Sequence, residues 1–186
     1  MKKLCTVSLA ILGLFSAFAC DETQIIDQDP KDSDHKNDTN TDSNDKDTEN
    51  LTCKSASTVV ETHGHLQVIG ADLMNECGEP VRLKGVSSMW LNWENDGYAE
   101  SKAAMKWMID NWKISIIRAA MGIEPSGAYM STETSKQRAI TQVKTIVDNA
   151  IELGIYVLID WHSHNASNAD QKEAAVEFFT MMATEY

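Results

Sequence analysis

The chain has 186 residues, with 28 acidic against 16 basic side chains and a net charge of −12, and 42% of its residues are hydrophobic. That balance, with no basic cluster, argues against a nucleic-acid-binding surface. No apolar run is long enough to cross a bilayer as a permanent helix, which needs about 20 residues.

Residues 1–19 begin with Lys2 and Lys3, continue through an apolar run from Val7 to Phe18 and end in Ala17-Phe18-Ala19. This is the pattern of a secretory signal, expected to be removed and set aside from fold reasoning. Cleavage after Ala19 leaves Cys20 as the new N-terminus. Two readings share that cut: a plain secretory signal, or a lipoprotein signal whose acylated Cys20 anchors the chain in a membrane. Either places the protein outside the cytoplasm, as a secreted or outer-surface lipoprotein of a bacterium.

Residues 20–52 are expected to form a disordered acidic linker. Positions 21–52 carry 11 acids and three lysines, and a segment so charged and so poor in apolar residues cannot offset the entropy of ordering. Most of the chain's negative charge therefore belongs to the linker, not to a binding surface. The folded part is residues 53–186. Cys53 and Cys77 flank its first hairpin, and two readings stay open for them: a disulfide, as export permits, or two thiols packed as small hydrophobes.

The run Thr58-Val59-Val60 and the run from His65 to Ile69 are rich in β-formers and are interrupted by His63-Gly64 and by the turn residues from Asn75 to Pro80, which predicts one or two hairpins. "VRLKGV" (81–86) follows as a strand. Met105, Met108, Ile109 and Trp112 then recur at helical spacing within 98–112, so one helix face is apolar. "ISIIRAAM" (114–121) is a second short strand. Ile140, Val143, Val147, Ala150 and Ile151 stripe a helix over 135–153, and Gly154 supplies its stop. "IYVLIDWH" (155–162) is a third strand. A last helix opens with Asp170 and Glu173, spaced like a capping box, and aligns Ala175, Phe178, Phe179, Met182 and Tyr186.

From Val81 onward this is three consecutive strand–helix units whose strands are apolar on both faces until their ends, as in a parallel sheet covered by helices. The fold class is therefore α/β, and in an eight-fold β/α barrel chemistry collects at the C-terminal ends of the strands. The first strand runs into "SSMWLNWEN", the second ends at Arg118, and the third ends in Asp160-Trp161-His162. Alternation puts Asp160 and His162 on one face and Trp161 on the other, toward the helices. An arginine inside an apolar strand requires an acidic partner elsewhere in the protein. Trp90 and Trp93 border the same mouth, where exposed aromatics can stack on the apolar face of a sugar or plug the barrel rim.

His162 and His164 are also spaced like part of a zinc site, which would make the chain a metal-dependent hydrolase, but nothing in the sequence clearly supplies a third ligand. His63 and His65 read as residues of a solvated turn. No metal and no cofactor is expected.

The blocks "RLKGVSSMWLNW", "MKWMIDNWKISIIRAAMG", "VDNAIELGIYVLIDWHSHNA" and "AAVEFFTMMATEY" resemble, in order and spacing, the first half of a family 5 glycoside hydrolase of the bacterial endo-β-1,4-glucanase kind. The resemblance covers Leu66 to Tyr186, and "IIRAAM" and "GIYVLIDWHSHNA" are its most specific parts. It implies a TIM (β/α)8 barrel of which about the first three units are present, preceded by a hairpin, and an endo-acting enzyme that cleaves β-1,4-glucan with retention. It also implies that Arg118 contacts the nucleophilic glutamate and keeps it ionised. His162 would hydrogen-bond the sugar in the −1 subsite, and Trp93 would be an aromatic platform on the glycone side, with Trp90 and His164 as further substrate contacts. Many relatives carry a histidine in the loop where this sequence has Met89 or Trp90.

Retaining glycosidases need two carboxylates about 5 Å apart. In this family they are glutamates at the ends of the fourth and seventh strands, the first in an Asn-Glu motif. Asn75-Glu76 precedes the barrel and cannot serve. The expectation is thus an N-terminal portion of a cellulase that is inactive by itself. The other reading is a non-catalytic carbohydrate-binding chain.

Overall fold

The computed structural model describes residues 56–94 and 96–186. The signal segment, the acidic linker, Cys20 and Cys53 lie outside the described residues.

The first element corrects the sequence reading. Thr58-Val59-Val60 does not form a strand: helix α1 spans Val59–His63. A capping box overrides the β-propensity of the run, because the Thr58 hydroxyl accepts from the Glu61 amide (3.1 Å) while the Glu61 carboxylate accepts from the Thr58 amide (3.2 Å). His63 closes this helix and is half-buried, so only exposed His65 fits the solvated reading.

The expected hairpin follows, with β1 (Gln67–Ile69) antiparallel to β2 (Asp72–Met74). Asn75, 1% exposed, organises the next turn by accepting from the amides of Cys77 (3.0 Å) and Glu79 (2.8 Å). The chain returns to an isolated bridge between Met74 and Pro80, so the strand expected over 81–86 is shorter and later: β3 is Gly85–Ser87.

Three strand–helix pairs complete the described chain. Helix α2 (Lys102–Trp112) follows β3 and is capped by Ser101. Strand β4 (Ile116–Gly122) leads to α3 (Glu133–Leu153), which starts at Thr132 and stops at Gly154. Gly154 has φ 68, a left-handed conformation that costs a glycine nothing. Strand β5 (Tyr156–His162) leads to α4 (Ala169–Glu185). The cap of α4 is Asn168, whose side chain accepts from the amides of Asp170 and Gln171, and not an Asp170–Glu173 box. The asparagine satisfies two free amides at once, which the aspartate inside the first turn cannot do.

The strands form one parallel sheet in the order β3-β4-β5, a partial α/β fragment of the kind a β/α barrel contains. One face of β4 (Ile117, Ala119 and Met121) is fully buried against the helices. Val157, Ile159 and Trp161 of β5 join the same core with Met105, Val143, Val147, Phe178 and Met182. Trp161 therefore packs toward the helices, its ring 5.8 Å from that of Phe178. Trp112 departs from the expected apolar face. It is 58% exposed and, beside edge strand β3, lines a groove of about 600 Å³ with Trp107, Tyr98 and Val86.

The N-terminal segment attaches at the opposite end of the sheet from the strand ends. The Tyr156 hydroxyl, at the start of β5, donates to the Gly64 carbonyl (2.8 Å), and the Val60 amide donates to the Gly154 carbonyl (3.0 Å).

Candidate active site

The opposite face of the sheet carries Arg118, Asp160 and His162, because residues two apart on a strand point the same way. Parallel register does the rest. Arg118 lies beside Ser87 of β3 and Leu158 of β5, one pleat below Asp160. Its guanidinium donates from Nη1 to Ser87 Oγ (3.0 Å) and from Nη2 to Asp160 Oδ2 (2.7 Å), and Nη2 also meets His162 Nδ1 at 2.7 Å. The acid that Arg118 requires is thus Asp160 on the neighbouring strand. The pair is only partly buried, with side chains 33% and 23% exposed.

The triangle decides where the His162 proton sits. Asp160 Oδ2 is 3.0 Å from Nδ1, so Nδ1 either donates to the carboxylate or accepts from the guanidinium. A guanidinium never accepts, and its contact is the shorter. Nδ1 therefore accepts, and Nε2 carries the N–H. No protein acceptor holds that N–H among the described residues, so it is a free donor.

The loop after β3 is laid along β4 beyond the strand end. Ser88 N donates to Arg118 O (2.8 Å), Leu91 N to Ala120 O (3.0 Å), and Ala120 N to the buried Ser88 hydroxyl (2.9 Å). The Tyr98 hydroxyl clamps the loop by donating to Ser87 O (2.8 Å) and accepting from Met89 N (3.1 Å). A turn then brings Trp93 N onto Trp90 O (2.8 Å), with Leu91 buried in the core.

This turn stacks the two indoles, with centroids 4.8 Å apart and planes 10° from parallel. Trp90 also meets His162 edge-on at 4.6 Å and His164 at 5.1 Å. Trp93 remains 48% exposed, so one of its faces is open to a ligand. Gly122, at the end of β4, makes the arrangement possible: a Cβ there would lie 2.9 Å from Trp90 Cε3 and collide with the Asn92 side chain.

The structure brings together all five residues singled out at the mouth: Arg118, His162, Trp90, Trp93 and His164. It adds Ser87 and Asp160, which hold Arg118, and Glu124, just beyond β4. One oxygen of Glu124 accepts from Ser163 Oγ, His164 N (2.9 Å), Asn165 N (2.9 Å) and Gln171 Nε2 (3.2 Å). Burial pushes its pKa upward, but these hydrogen bonds outweigh it and bring it down to about 2. Near Trp93, burial raises the pKa of Glu94, whose carboxylate accepts from Ala99 N (3.0 Å). The sequence held one signal for Asp160, its shared face with His162. It held none for Glu124, whose partners come from a separate loop.

No third His, Cys, Asp or Glu joins His162 and His164 to make a metal-binding group among the described residues. Cys77 is disulfide-bonded; Cys53, its expected partner, lies outside the described residues. No helix among the described residues is long and apolar enough to cross a membrane.

Comparison with known proteins identifies the family. Residues 74–186 match the cellulase (glycosyl hydrolase family 5) family model. The chain is 42% identical over 139 residues to endoglucanase A of Evansella cellulosilytica, a match covering 74% of this chain and 27% of the relative. It is 38% identical over 136 residues to an endoglucanase of Clostridium saccharobutylicum, covering 73% and 29%. The solved catalytic domain of Thermobifida fusca endoglucanase Cel5A superposes with a TM-score of 0.59 at 30% identity, over 68% of this chain and 40% of that one. The chain thus spans under a third of the length of these curated relatives. With the family model matching most of the described residues, and with Arg118, His162 and the tryptophan pair gathered at the strand ends, the chain belongs to glycosyl hydrolase family 5, the cellulase family.

Proposed function

We propose that the chain forms the sugar-binding shelf of an endo-acting, retaining glycoside hydrolase on β-1,4-glucan, its three strand–helix pairs being the first three units of an eight-fold barrel. The observation that carries this reading is the stacked Trp90–Trp93 pair set edge-on against His162 at the C-terminal ends of a parallel sheet. The open face of Trp93 suits the CH-rich face of a pyranose. His162 Nε2–H donates to a sugar hydroxyl, and the Arg118 guanidinium favours the ionised form of an arriving carboxylate.

Retention needs two carboxylates about 5 Å apart. Of the acids at the described strand ends, Asp160 is committed to Arg118 and Glu124 to the loop after β5, so neither is free to serve as one of that pair. On this reading the 186-residue chain binds glucan without hydrolysing it.

Calorimetric titration with cellohexaose, mannohexaose and xylohexaose tests the reading. Saturable binding of cellohexaose, preferred over the other two, supports it. Absence of cellohexaose binding, or release of reducing ends from a soluble cellulose derivative by this chain alone, overturns the corresponding part.

The signal segment and Cys20 extend the proposal to export, with either a free or an acylated N-terminal cysteine. Intact-mass analysis of the mature chain from membrane and medium fractions distinguishes them, since a diacylated Cys20 adds two acyl chains and a glycerol.

A further inference from the structure

Strands β4 and β5 end in register, Gly122 beside His162, and the chain beyond each end meets the other at Glu124. The loop from Ser163 to Asn168, which carries His164, has little backbone bonding of its own; one bond outside the flanking elements, Asn168 N to Asn165 O (2.9 Å), crosses it. What gives it shape is a side chain from another segment. The successive amides of His164 and Asn165, the Ser163 hydroxyl and the Gln171 side-chain amide all converge on Glu124 Oε1.

Successive backbone N–H groups turned to one point form an anion-binding concavity. Here the anion is built into the protein. Crowding four donors onto one oxygen suits a full negative charge and not a neutral acceptor. The second oxygen, Oε2, is buried without a partner, so the carboxylate is enclosed by its donors and is not presented to a substrate. Gln171, 6% exposed in the first turn of α4, ties the assembly to the helix by donating from Nε2 to Glu124 Oε1 (3.2 Å). The residue thus fixed at the start of the loop is His164, exposed, with its ring 5.1 Å from Trp90.

We propose that Glu124 is a positioning residue: its carboxylate is the anion around which the loop after β5 folds, and this holds His164 against Trp90 at the rim of the sugar-binding shelf. The loop half of the proposal stands on geometry alone. The shelf half rests on the function proposed above.

Three readouts on Glu124→Gln test it: amide hydrogen exchange, the ring-proton NMR shift of His164, and cellohexaose titration. Losing a charge-assisted hydrogen bond should speed exchange at the His164 and Asn165 amides about tenfold or more, with β4 and β5 amides unchanged. The Trp90 ring-current shift on His164 should vanish, and cellohexaose affinity should fall several-fold. Ser163→Ala removes one donor to Glu124 together with the hydroxyl that accepts from Asn165 N but leaves the charge; it should loosen the His164 amide less than Glu124→Gln and serves if Glu124→Gln does not fold. Unchanged exchange and an unchanged His164 shift in both variants would overturn the proposal. If the parent chain binds cellohexaose and a loosened variant binds it equally well, the positioning role is overturned while the sugar site stands. If the parent binds none, the sugar site fails, and the exchange data still decide whether Glu124 shapes the loop.

Discussion

Each polar side chain at the mouth is placed by neighbours with a specific chemical reason. Arg118 is held by Ser87 and Asp160 and in turn fixes the His162 tautomer. Trp90 has room because position 122 is glycine. Gly122→Ala should displace the stacked indoles and cost about 1–3 kcal/mol, as overpacking does, read by urea unfolding together with loss of near-UV dichroism from the tryptophans; an unchanged spectrum would contradict the packing described. Glu124 makes a pH-dependent contribution whose sign follows from its lowered pKa. A carboxylate held below its ordinary value of 4.5 stabilises fully above that value and loses its contribution as pH falls toward about 2. Parent and Glu124→Gln should therefore differ in melting temperature at neutral pH and converge as the pH is lowered through that window. A difference that persists undiminished at pH 2 would mean that the charge is not what matters.

At the scale of elements, helix ends carried more information than strand propensity. Thr58-x-x-Glu61 is a capping box in plain view, yet its three β-formers read as strand until the structure shows the reciprocal bonds closing. For α4 the cap is Asn168, and Asn168→Ala should cost about 1 kcal/mol of stability, measured by urea unfolding; a cost near zero would move the cap back toward Asp170. The runs 114–121 and 155–162 were legible because strands buried on both faces leave an unbroken apolar signature. Arg118 and His162 were legible as breaks in that signature. Asp160 as the partner of Arg118 was not, because which residue lies beside which depends on register between two strands separated by a whole helix. Glu124 was less legible still, since its role exists only once two loops meet.

For the described unit as a whole, stability rests on the layer between sheet and helices. Phe178 is 1% exposed and touches the rings of Tyr129, Trp161 and Phe179, so Phe178→Ala should cost about 3–5 kcal/mol, a large share of the stability of any domain this size. The resulting loss of cooperative unfolding would be visible by calorimetry. The site sits at the other end of the strands from the N-terminal segment, so α1 and the hairpin serve the fold, and the mouth is left to the loops after β3, β4 and β5. On the function proposed above, this mouth binds a β-1,4-glucan through Trp93 and His162. Titrating cellohexaose into the parent chain, Trp93→Ala and His162→Ala tests it most directly. Saturable binding to the parent is expected, with affinity lowered about tenfold in each variant, near the value of one aromatic contact or one hydrogen bond; equal binding by all three would contradict the proposed site.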